Sequence, residues 1–275
     1  MDTQKNERKE KLRQVFEDTE RYYQTDEILK KSIEESIMKT VIYQEGYNFQ
    51  PIQKRFAQTT VSVNALKSLE AGMSYKKKNR KSKIGILSFA SGTNPGGGVR
   101  NGSSAQEESI CRCTTLAAVL DAEKNRKEFY SFHKSQHDQR YTSTVIYTPN
   151  IIAFKTDDDI PSLLPRQKWN AFDFISCAAP NLINNDLPEE EIKTLHEARA
   201  RQILNVAAEN KIEVLVLGAF GCGAFQNPPE VVAKAYKDML KEFDGVFQEI
   251  VFAVFTTEKD RKNYDAFEKN FAKKE

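Results

Sequence analysis

The chain has 275 residues, 39% hydrophobic and 29% charged, and its 41 basic against 39 acidic side chains leave a net charge of +2. That composition suits one large soluble domain, or one domain with an extension, and the near balance excludes a protein that attracts nucleic acid by its net field. No run of 18 apolar residues occurs, which argues against a membrane span, and the amino terminus lacks the apolar core of a signal peptide. Four cysteines (Cys111, Cys113, Cys177 and Cys222) without C-x2-C spacing read as free thiols, so the expected setting is intracellular, cytoplasmic or, in a eukaryote, nuclear.

Residues 4–40 are charged, rich in helix formers and free of Gly and Pro. Leu12, Val15 and Phe16, then Leu29, Ile33 and Ile37, fall at helical spacing and predict two helices on the outside of the main domain. A strand is expected over 59–64 and a short helix over 65–71. The densest basic run follows, YKKKNRKSK at 75–83. It suits a grip on an acidic polymer, a nuclear address, or a solvated loop before a strand. Residues 83–91 read as an apolar strand that enters a first glycine-rich segment, NPGGG at 94–98. A helix is expected from Ser103 or Ser104, with Ile110, Cys113, Ala117 and Leu120 on one face. A second helical stretch, 123–136, carries His133, with His137 four residues on. No H-E-x-x-H pattern accompanies them, so they read as surface histidines rather than metal ligands.

Residues 144–155 read as two short strands about a Pro149–Asn150 turn. The three aspartates at 157–159 lack D-x-D-x-D-G spacing and read as a solvated loop. A strand over 171–179 stops at Pro180. The long helix 188–210 should turn Ile192, Leu195, Ala198, Ile203 and Val206 inward, and a strand over 213–217 runs into a second glycine-rich segment, GAFGCGAF at 218–225. Asn227 is expected to cap the next helix, with Pro228 in its first turn and Val232, Ala235, Met239 and Phe243 inward. A strand at 249–255 and a helix marked by Tyr264, Phe267 and Phe271 close the chain. From residue 56 onward strands alternate with helices, which predicts an α/β sandwich around one sheet.

Two strand–glycine loop–helix junctions are the strongest chemical signal. Each can aim backbone N–H groups at an anion, and the helix that follows adds a positive dipole. The dinucleotide pattern GxGxxG fails at Asn101, and a Walker A loop fails because Ser103 stands where lysine is needed. At one sheet edge the two loops can clamp a diphosphate; each can also be a tight turn only. Glu107 and Glu108 lie close behind the first loop. Ser104-x-x-Glu107 fits a capping box in which Glu107 serves structure alone. Adjacent helical residues point about 100° apart, which places the pair poorly for flanking one glycosidic bond. One catalytic carboxylate, Glu108, that protonates a leaving oxygen and then activates water, beside one positioning carboxylate, is the better scheme. A helix amino terminus favours ionised carboxylates, and a bound diphosphate opposes that. Cys222 reads as a thiol activated by the helix behind it or as a small packing residue, and Phe225 as a platform for ribose or base or as core.

NPGGG (94–98), QEES and CR within 106–112, YTPNIIAFK (147–155), CAAPN (177–181) and LGAFGCGAFQNPP (217–229) together resemble the poly(ADP-ribose) glycohydrolases, in particular the compact microbial type. The resemblance covers most of residues 50–255. It implies a macrodomain-like three-layer α/β/α sandwich with a mixed central sheet over 51–275, preceded by a helical extension at 1–50. It implies that Glu108 is catalytic and that Glu107 orients ribose hydroxyls. Asn94, Gly96, Gly97 and Gly98 would line the scissile end, and Gln106 would also bind substrate. Gly221, Cys222, Gly223, Ala224 and Phe225 would hold the diphosphate, with Phe225 beside the distal ribose, and residues 58–60 would approach the adenine. The implied activity is hydrolysis of the ribose–ribose O-glycosidic bond, releasing ADP-ribose from the chain terminus without metal or cofactor. The implied partners are poly(ADP-ribose) and ADP-ribosylated proteins, not a membrane or a specific nucleic acid. Alternatives are a binding module without turnover, against which the second carboxylate speaks, and a hydrolase of mono-ADP-ribosylated protein or O-acetyl-ADP-ribose. A polyanion-binding role carried by residues 75–83 is a more distant one.

Overall fold

The structure, a computed structural model, describes residues 2–271. Helices α1 (Asp2–Thr25) and α2 (Glu27–Lys39) open the chain, and Asp26 between them caps α2 by accepting hydrogen bonds from the N–H groups of Ile28 and Leu29. Strands β1 (Val41–Tyr43) and β2 (Thr60–Asn64), helix α3 (Ser68–Lys78) and strand β3 (Ile84–Phe89) follow. After the first glycine loop come α4 (Gln106–Cys113), α5 (Leu116–Leu120), α6 (Glu123–Asn125), a π-helical turn over Arg126–Ser131 and α7 (Phe132–Gln136). The remainder is β4 (Val145–Ala153), β5 (Asn170–Cys177), α8 (Glu189–Glu209), β6 (Val214–Leu217), α9 (Pro229–Leu240), β7 (Glu249–Ala253) and α10 (Lys262–Phe271).

All seven strands join one sheet in the order β1-β4-β5-β3-β6-β7-β2. The five from β5 to β2 run parallel, whereas β4 is antiparallel to both β5 and β1, so the sheet is mixed as expected. Side chains alternate between two cores. Leu87, Ile175, Leu215, Leu217, Ile250 and Phe252 pack under α8, α9 and α10. Ile86, Phe174, Val214, Val216 and Val251 pack on the other face, with α3, α4, α5 and Phe16 of α1. With both faces covered, the central strands read as unbroken apolar runs rather than alternating ones.

Several elements depart from the sequence reading for visible reasons. The extension expected over residues 1–50 is not helical throughout, because its last part supplies β1, which pairs with β4. The short helix lies at 68–78, so Tyr75–Lys78 of the basic run end a helix. The helix expected over 103–120 is broken in two. At Thr114 and Thr115 the backbone pairs with Ala153 and Ile152 at the edge of β4 instead of continuing the helix. The two strands about Pro149–Asn150 are one strand with a bulge, where Asn150 has φ 60°. The extra residue moves the strand's inward side chains from one face to the other, Val145 and Tyr147 facing one core and Ile151 and Ala153 the other. His133 is buried rather than on the surface: its Nε2 lies 2.8 Å from the Thr142 hydroxyl, and burial pushes the imidazole down to about 4. Along α8, His196, Arg199 and Gln202 face inward while Ala198 is exposed, because the Asn227 side chain, Ala178 O and Tyr43 O on that side need partners. Among the described residues no helix is long and apolar enough to cross a membrane.

Candidate active site

The carboxyl ends of β2, β3, β5, β6 and β7 open onto one cleft of about 1190 Å³. It is the position at which parallel sheets hold ligands, beyond the carboxyl edge where loops and helix amino termini converge. Ser68, Ala90, Ala179, Phe220 and Val254 mark the five strand ends around it. Residues 58–60 lie at the opposite edge, since β2 starts there, and the Thr59 hydroxyl donates to Phe247 O at 2.9 Å. They do not line this cleft.

Helix α4 enters from the first glycine loop, and its two leading acids are the centre of the site. Glu107 is 3% and Glu108 9% exposed. The capping box does not form: the cap is Ala105, with no side-chain bond. Glu107 Oε2 instead accepts the N–H of Ser91 at 2.8 Å, and Glu108 Oε1 accepts that of Gly98 at 2.9 Å. The two side chains, although adjacent on the helix, bend toward one another. A methyl group at Gly97 would sit 2.5 Å from Glu108 Oε1 and 3.0 Å from Glu107 Oε2. Gly97, at φ 59°, is therefore the one residue type that lets both carboxylates meet the loop backbone. Each acid keeps one buried oxygen, Glu107 Oε1 and Glu108 Oε2, without a partner among the described residues. Such orphans are rare and costly in a protein interior. Burial holds the Glu107 carboxyl well above the usual carboxylate range, the Ser91 N–H opposes this, and the neighbouring Glu108 adds to it.

The second loop faces this pair. Gly223 and Ala224 are exposed at its tip, and their N–H groups make no hydrogen bond among the described residues. Phe225 is half-buried and lies 6.3 Å from the ring of Tyr141. Asn227 does not cap α9, whose cap is Pro228. Its amide is buried and donates to Pro180 O at 2.8 Å and Gly221 O at 3.0 Å, and its oxygen lies 2.8 Å from His196 Nε2. It thus ties the glycine loop to the end of β5 and to α8.

Of the residues singled out in the sequence, Asn94, Gly97, Gly98, Gln106, Glu107 and Glu108 line one side of the cleft, and Gly221, Gly223, Ala224 and Phe225 the other. Gly96 and Cys222 do not line it. Gly96 is buried against Val99, Cys111 and Ala117. Burial pushes the Cys222 thiol up, which removes the activated-thiol reading. The Gln106 amide is committed to protein, accepting from Phe89 N and donating to Leu87 O and Ser68 Oγ, so it anchors α4 to β3. Asp157 is not simply solvated: its side chain is buried against Ser109 and Lys67, and burial raises its carboxyl to about 6. Sequence reasoning missed Ser91 and Phe255. Phe255 is 58% exposed on the cleft rim just past β7, where the reading ran the last strand straight through it. Among the described residues no cluster of three or more His, Cys, Asp or Glu side chains is placed to hold a metal ion.

A family model, the microbial-type PARG catalytic domain, matches residues 10–156. Poly(ADP-ribose) glycohydrolase from Thermomonospora curvata is 28% identical, with 94% of this chain and 99% of that one covered and a TM-score of 0.85. Its complex with the inhibitor ADP-HPD superposes with a TM-score of 0.82. Poly(ADP-ribose) glycohydrolase from Deinococcus radiodurans in complex with ADP-ribose is 29% identical over 87% of this chain and 97% of that one, with a TM-score of 0.78. A search among curated proteins gave no match.

Proposed function

The chain belongs to the microbial-type poly(ADP-ribose) glycohydrolase family, glycosidases that act on poly(ADP-ribose), and from that premise we propose how its cleft performs the reaction. Glu108 is the general acid that protonates the leaving 2′-oxygen of the neighbouring ribose. As the bond from that oxygen to the anomeric carbon breaks, positive charge develops on the ribose. Glu108, now ionised, takes a proton from the water that attacks the same carbon. Glu107 accepts hydrogen bonds from the ribose hydroxyls and fixes the sugar against the first loop. The second loop offers the free N–H groups of Gly223 and Ala224 to the diphosphate, and Phe225 packs on the distal ribose. Phe255, an exposed aromatic on the rim, offers its ring face to the adenine.

The observation that carries this reading is the convergence of two buried carboxylates on Gly97, each with one unpartnered oxygen at the cleft wall. A module that only bound ADP-ribose would have no use for two buried acids with unmet hydrogen bonds. We further propose that release is from the polymer terminus, that the same cleft accepts polymer attached to protein, and that the setting is intracellular. Incubation with polymer-bearing acceptor protein, followed by chromatographic separation, tests hydrolysis, the acceptance of protein-attached polymer and terminal release. Monomeric ADP-ribose from the first time points is expected; oligomers as the first products overturn terminal release, and intact polymer overturns hydrolysis.

A further inference from the structure

The eight-residue helix that carries Glu107 and Glu108 is too short to hold itself in place, and its last carbonyls need donors from elsewhere. Cys113 O is served by the N–H groups of Phe154 and Lys155, and Ile110 O by the Thr114 hydroxyl. Two more donors at this end come from α1, nearly a hundred residues upstream. The Thr19 hydroxyl, fully buried, donates to Arg112 O at 2.7 Å, and the Tyr23 hydroxyl donates to Thr114 O at 2.6 Å. The other end of α1 reaches the loop before α4: Lys9 O packs so closely on Gly102 that no side chain fits there, and Arg8 lies 3.4 Å from the Ser104 hydroxyl. Between these ends Phe16 is buried against the core of the catalytic helix. Arg112 closes the frame, its buried guanidinium donating to Ser103 O at 2.6 Å. The amino-terminal helix thus runs alongside α4 and holds it at both ends.

We propose that Thr19 and Tyr23 are positioning residues for the glycosidase reaction: their hydroxyls hold the carboxyl end of α4, and through it the angle at which Glu107 and Glu108 meet the glycine loop. This rests on the reading of Glu108 as the proton donor. Neither hydroxyl is near the diphosphate loop, so their loss falls mainly on the chemical step at Glu108, and the ribose contact of Glu107 is the one part of ligand capture that it touches. A misplacement of about 1 Å at the reacting groups costs on the order of a hundredfold in rate.

The test is steady-state kinetics on polymer, with ADP-ribose affinity by calorimetry, for Thr19→Val, Tyr23→Phe and the pair, and for Thr19→Ser, which keeps the hydroxyl. The pair is expected to lower kcat at least about tenfold with KM and ADP-ribose affinity nearly unchanged, while Thr19→Ser retains wild-type kcat. Should the pair fail to fold, the two single variants carry the same comparison. Wild-type kcat in folded variants overturns the proposal, as does a loss of affinity that matches the loss of kcat, which marks a merely structural role. No polymer turnover by the wild-type protein would instead count against the glycohydrolase reading itself.

Discussion

Glu107 and Glu108 occupy neighbouring positions of one helix yet share one patch of space, and the reason is the missing side chain at Gly97. Burial raises the Glu107 carboxyl, so the folded state binds more protons than the unfolded chain from about pH 4.5, the ordinary value, upward. Stability from this residue is therefore lost as pH rises through that window. Glu107→Gln should raise the melting temperature at pH 7 by about 2–4 °C for each kcal/mol gained, and the gain should vanish below pH 4.5. Turnover should fall by about tenfold to a hundredfold, because the amide no longer orients the ribose as a carboxylate does. Thermal melts at both pH values with a turnover assay check this; an unchanged or lower melting temperature at pH 7 contradicts it. The acids and the glycines were legible in sequence because their types and spacing are unusual. Their convergence was not, since helical geometry places neighbouring residues apart and only the loop backbone opposite shows why they bend together. The capping-box spacing at Ser104 was a local pattern that the cleft overrode.

At the scale of elements, the second glycine loop owes its shape to α8 as much as to its own glycines. Asn227 binds Pro180 O and Gly221 O, and His196 steadies Asn227 from the helix. Arg199, one turn on, donates to Ala178 O at 2.8 Å and to Arg140 O, so α8 fixes three loops from below. Asn227→Ala should leave the fold intact and weaken ADP-ribose binding about tenfold, a loss of about 1.4 kcal/mol, measured by calorimetry; unchanged affinity contradicts the anchoring role. The strands and long helices were readable from apolar periodicity. The inward polar face of α8 was not, because periodicity counts apolar residues and passes over a histidine or arginine whose partners, the Asn227 side chain for His196 and backbone carbonyls for Arg199, are distant in sequence. The break between α4 and α5 escaped for the same reason, being set by pairing with β4.

For the whole molecule, one mixed sheet with both faces covered brings the two glycine loops to the same edge, which turns two ordinary turns into a cleft. The alternation of strands and helices from residue 56 was enough to predict that sandwich, and the burial that makes it firm has a pH cost. His196 is fully buried, and burial pushes its imidazole from 6.5 down to about 4. The unfolded chain therefore binds more protons across that window, and stability from this residue is lost as pH falls through it. Relative to His196→Gln, the wild-type protein should lose on the order of 3 kcal/mol between pH 6.5 and 4. Denaturant unfolding of both proteins at the two pH values measures the difference, and parallel stability profiles contradict it.

The central claim is that a single carboxylate performs the proton transfers while the rest of the cleft binds. Glu108→Gln tests it most directly, with polymer hydrolysis and ADP-ribose binding measured on the same preparation. Turnover reduced by at least about a thousandfold, with ADP-ribose affinity close to wild type, is the expected result. Near-wild-type hydrolysis by that variant would contradict the account.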